Sequence, residues 1–85
     1  MTNTIKNTVE KMMSDRNFMS MINDLIETSR SAIQFAINKK DDKLKKFNLL
    51  CLDFFEALKR SDLGAAISAA QELVQSGHGQ MFGLN

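Results

Sequence analysis

The chain has 85 residues and a mass of 9.6 kDa, room for one small domain and not for two. It is 44% hydrophobic and 25% charged and has no proline, which excludes a fully disordered chain. Its single cysteine excludes an internal disulfide framework. The net charge of +1, from eleven Lys and Arg against ten Asp and Glu, argues against a protein that coats nucleic acid over its whole surface.

In chain order, the apolar spacing predicts four helical segments. The first runs from about Asn3 to Ser14, with Ile5, Val9, Met12 and Met13 on one stripe. Asp15 follows as an N-cap, its carboxylate placed to accept from the free amides of the next turn. The second segment, from about Arg16 to Asn38, carries Phe18, Ile22, Leu25, Ile26, Ala32, Ile33, Ala36 and Ile37. The third, from about Asp41 to Arg60, carries Leu44, Phe47, Leu50, Cys51, Phe54, Phe55 and Leu58. Ser61 or Asp62 caps the fourth, which uses Leu63, Ala66, Ile67, Ala70, Leu73 and Val74 and stops at Gly77. No strand-type alternation competes with this pattern. The predicted fold is all-α, a small antiparallel bundle of three to four helices. Residues 1–79 are read as one helical domain and 80–85 as a flexible apolar C-terminal tail.

The stripes are wider than one buried face needs. At about 100° per residue, the main arc of the third segment spans about 140°, which one face accounts for, yet Leu49 and Leu52 fall outside it. In the second segment, Met21 and Phe35 widen the apolar sector to about 200°. Either these helices are central in the bundle or the extra side chains meet another chain. A domain this small buries only about 60–65% of its unfolded surface, so self-association, as a homodimer or larger, is expected to make up for a thin core. Met81, Phe82 and Leu84 have no use on a solvated tail and are expected to dock on this chain or on a partner.

Groupings suited to catalysis are few. The only Cys and the only His are Cys51 and His78. Cys51 lies within the apolar arc of its helix, which suits an inert thiol with a raised pKa, and His78 stands between two glycines beyond a helix end, a mobile position for a general base. Asp24 with Glu27, and Asp53 with Glu56, read as surface carboxylates paired along their helices, Glu27 with Arg30 and Glu56 with Lys59 or Arg60. One Cys and one His cannot make a zinc set, and no glycine-rich phosphate loop is present. The expectation is a protein that is not an enzyme and holds no metal or cofactor.

Residues 54–67, Phe-Phe-Glu-Ala-Leu-Lys-Arg-Ser-Asp-Leu-Gly-Ala-Ala-Ile, resemble the turn region of a tetratricopeptide helical hairpin. The likeness lies in an aromatic first helix, an Asp just after the turn, and a small residue followed by Ile in the second helix. It covers 14 of the 85 residues (one repeat at most, in a family that stacks about three). Ser61 stands where that family has Gly, and Ala69 where it has a bulky residue. The resemblance implies an antiparallel hairpin of the third and fourth segments, with Ala65, Ala66, Ala69 and Ala70 allowing close approach.

Two surfaces are candidates for function. Met21, Phe35, Leu49, Leu52, Met81, Phe82 and Leu84 are candidate protein-binding residues, with Met12, Met13, Met19 and Met21 as adaptable side chains nearby. Residues 38–46, Asn-Lys-Lys-Asp-Asp-Lys-Leu-Lys-Lys, hold five lysines and two aspartates. Lys39, Lys40, Lys43, Lys45 and Lys46 are therefore a candidate contact for nucleic acid or another anion. No apolar run reaches the roughly 18 residues of a membrane span, and with no secretory apolar segment the setting is expected to be cytoplasmic. The leading expectation is a protein-binding adaptor, chaperone or inhibitor, phage- or bacterium-encoded, that regulates a larger complex. The alternatives are an RNA or DNA accessory protein acting through the lysine turn, and an oligomeric bundle sequestering a small anion near Arg30 or Lys39.

Overall fold

A computed structural model describes residues 2–84, with side chains from residue 4 onward; residues 1 and 85 of the expected boundaries lie outside the described residues. The order is α1 (Thr2–Ser14), α2 (Arg16–Ser20), α3 (Ile22–Lys39), α4 (Asp42–Lys59), α5 (Leu63–Gln75) and a 3-10 turn, Gly79–Phe82. The described residues contain no strand. The all-α expectation stands, and the described residues form five helices where three to four are expected, the extra one being the five-residue α2.

The predicted third segment, now α4, is the central helix. It packs along α3 on one side and α5 on the other, and α1 packs on α5. Cys51, Phe54, Phe55, Ala57 and Leu58 are all buried on it, against Ala66, Ala70 and Leu73 of α5, Ile5 and Val9 of α1, and Ile22 and Ile26 of α3. Removing large apolar side chains from water stabilises the fold by about 1.5–3 kcal/mol each. Phe54 and Leu58 are fully enclosed, so this helix anchors the domain.

The turns follow from local chemistry. Asp15, Asp41 and Asp62 each have extended backbone and accept an amide three residues on, from Phe18 (3.1 Å), Leu44 (3.0 Å) and Ala65 (3.1 Å). Asp42 adds a negative charge to the first turn of α4, where the helix dipole favours it. Helices α3, α4 and α5 end alike. The amide of Asp41 reaches the Ala36 carbonyl, that of Asp62 reaches Ala57, and that of His78 reaches Leu73, at 2.9, 3.0 and 2.8 Å. This closure needs a left-handed residue just after the helix. Lys40 (φ 57°), Ser61 (φ 58°) and Gly77 (φ 83°) supply it, and only the glycine does so without a Cβ penalty.

Two expectations are corrected. The predicted second segment is broken at Met21, which ends α2 and starts α3 with its amide bonded to Phe18 at 3.0 Å. Phe18 and Ile22 are four residues apart, so the apolar period runs through the break and spacing does not reveal it. The expected tail is not separate from the domain. Gly79–Phe82 forms the 3-10 turn, the Leu84 amide donates to the Gly79 carbonyl at 2.9 Å, and the Leu84 side chain is only 2% exposed within the core.

Candidate protein-interaction surface

Burial sorts the seven candidate binding residues into two groups. Met21, Phe35, Leu49 and Met81 are exposed, at 50, 55, 41 and 66%. Leu52 and Phe82 are half-buried against the core and Leu84 is enclosed in it. Phe82 stands edge-on to both Phe54 and Phe55, with ring centroids 5.7 and 5.8 Å away. Phe82 and Leu84 therefore dock on this chain, because α4 offers them an aromatic shelf, and they are removed from the surface. Ile37, which periodicity assigned to the core, is 47% exposed. It sits in the last turns of α3, and its exposure carries no signature in helical spacing.

A surface salt bridge marks the register of the α3–α4 hairpin. The Arg30 guanidinium reaches Glu27 at 3.0 Å along its own helix and Glu56 at 3.4 Å across to α4. The expected partner of Glu56, Lys59 or Arg60, is thus replaced by Arg30. The two helices run antiparallel, so one heptad onward from Arg30 and one heptad back from Glu56 bring Ile37 and Leu49 to matching positions on the same side. Phe35 precedes Ile37 by two residues, about 200° around the helix, and belongs to the opposite flank. There Met21, Leu25, Thr28, Ala32 and Phe35 follow one another at spacings of four and three, the period of a helix seam. Leu25 and Ala32 are half-buried on that flank.

The five lysines do not form one patch. All are exposed, but Lys39 lies over the Phe35 ring at 5.8 Å and Lys40 is the left-handed cap. Lys43 and Lys46 line a cleft of about 340 Å³ with Phe47, Leu50, Ser76 and His78. Lys45 points about 100° away from Lys46 around α4. None of the five is ion-paired among the described residues. His78 is not mobile as expected, since its ring packs on Phe47 with centroids 4.5 Å apart.

An acidic cleft went unread in the sequence. Between α4 and α5, Asp53, Glu56 and Glu72 line a hollow of about 280 Å³ with Arg60, over a floor that includes Ala65 and Ala69. Its members come from two helices, and only the hairpin brings Glu72 to the Asp53 and Glu56 side. Cys51 is buried on α4, and burial raises its thiol from 9.0 to about 11, so at neutral pH it is a protonated, apolar group. No group of three metal-ligating side chains occurs among the described residues, and no described helix is long and apolar enough to cross a membrane. No protein-family model, curated protein or solved structure matches this chain.

Proposed function

We propose that this chain is a non-catalytic protein-binding module, of the adaptor or inhibitor kind, that docks a helical partner on the outer flank of α3. The supporting observation is the seam Met21, Leu25, Ala32 and Phe35, with Met21 and Phe35 at least half exposed. A chain able to bury Phe54, Phe55 and Leu58 completely, or nearly so, gains nothing in stability by leaving a phenylalanine in water. A row of large side chains at helical period suits an amphipathic helix laid against it, and a polarizable Met at one end tolerates varied partners.

The test is capture by the tagged protein from native lysate, with and without nuclease, comparing the wild type with Phe35→Ser and Met21→Ser. Proteins recovered in both nuclease arms and lost with either substitution, at unchanged melting temperature, support the module. Recovery that depends on nucleic acid and is lost on reversing Lys43 and Lys46 would favour the lysine cleft instead. Recovery indifferent to Phe35 and Met21 would remove the basis of the proposal.

A further inference from the structure

The outward face of α4 has an ordered charge sequence. Past Asp42, Lys45 and Lys46 come before the exposed Leu49, and Asp53 and Glu56 come after it, ahead of Arg60. Lys46 and Asp53 stand three and four residues from Leu49, about 4.5 and 6 Å of helix rise on either side, and on the same flank of it, at about 60° and 40°. The apolar centre is extended by Ile37 of α3, which the Arg30–Glu56 bridge brings level with Leu49. The anionic end opens into the cleft of Asp53, Glu56 and Glu72. One end of the face carries a pair of cations with no ion-pair partner among the described residues, and the other is a hollow with three carboxylates and one guanidinium.

We propose that this face binds a second copy of the chain, with the two α4 helices antiparallel about a two-fold axis at Leu49. A two-fold rotation exchanges the ends of the face, so every complementary pair is made twice. Leu49 and Ile37 of each copy meet at the centre. Lys46 of each copy, on the same flank of the seam as Asp53, stands against Asp53 of the other at the mouth of the acidic cleft, and Lys45 lies on the other flank. The same rotation sets Asp42 opposite Glu56, a like-charge pair that opposes the contact and is offset only in part by Arg30, which Glu56 shares with Glu27. Charge complementarity selects this occupant over a foreign helix, because the matching surface is present on the chain itself. The contact is small and rimmed by ions, so it belongs among weak, salt-sensitive interfaces. It uses the side of the hairpin away from Phe35 and stands independently of the proposed function.

The experiment is sedimentation velocity on the full chain, at concentrations up to about 200 µM to cover the weak end of such interfaces. A monomer–dimer equilibrium is expected, weakening as salt rises from about 50 to about 500 mM. Lys46→Glu and Asp53→Lys should each weaken it by about tenfold or more, and the double swap should restore it to within about threefold. Leu49→Lys should abolish it, while Phe35→Ser leaves it unchanged. Circular dichroism checks that each variant folds; should Leu49→Lys unfold the chain, the exposed Lys46 and Asp53 swap decides alone. A wild type that stays monomeric throughout overturns the proposal. So does a dimer that survives both single charge reversals, or a double swap that fails to restore it.

Discussion

The C-terminal segment and the α3–α4 hairpin both carry more apolar side chains than local structure demands, and the fold treats them in opposite ways. Leu84 and Phe82 are drawn in against Phe54 and Phe55, whereas Phe35, Ile37 and Leu49 remain in water. The difference is access to a neighbour. The end of α5 delivers residues 79–84 onto the aromatic face of α4. The long α3 has α4 as its principal companion, and one helix covers only one side of another. A surplus hydrophobe is therefore core or surface according to whether a second element arrives over it, not according to its type.

The largest expected effect tests that contrast directly. Leu84→Ala should cost about 2–3 kcal/mol by loss of a fully packed side chain, and Phe35→Ala less than about 0.5 kcal/mol, both read from urea midpoints. Equal costs would mean the two regions do not differ as described. Next in size is the alkaline limb of stability. An unfolded Cys51 thiol ionises near 9.0 while the folded one holds its proton to about 11. The unfolded state thus binds fewer protons across that window. Stability should be complete below about pH 9 and fall from there to about pH 11 by roughly 1 kcal/mol per pH unit. Cys51→Ala should lack that component, and a pH profile identical to wild type would show that burial of the thiol does not matter. Smaller again are the turns. Asp62→Ala should cost about 1 kcal/mol by loss of the cap, while Ser61→Gly should gain about 0.5 kcal/mol by relieving the left-handed backbone. Thermal melts order these two variants.

Much of this was readable from residues alone. Asp15, Asp41 and Asp62 fall just before apolar periodicity resumes, where a carboxylate can satisfy orphan amides. The excess apolar width of the third segment left a central helix and a second-chain contact both open; α4 is covered on two sides and half-buries Leu52, while Leu49 stays exposed. The tetratricopeptide-like turn placed an Asp and a Gly-type position at 62 and 61, and Ser61 indeed adopts the conformation a glycine would take freely. The break at Met21 was hidden because Phe18 keeps the period of Ile22. The partner of Glu56 was misread because a local i,i+3 or i,i+4 lysine or arginine competes, on paper, with an arginine 26 residues away.

Helix identity, the Asp-capped helix starts and an inert Cys51 were determined by sequence, because caps, period and apolar context act within about a turn of chain. Which hydrophobes end in the core, which lysines share a cleft, and where Asp53, Glu56 and Glu72 converge were decided by the tertiary structure. Those outcomes depend on which helix passes over which face, and a helical wheel gives a residue's direction but not what lies there.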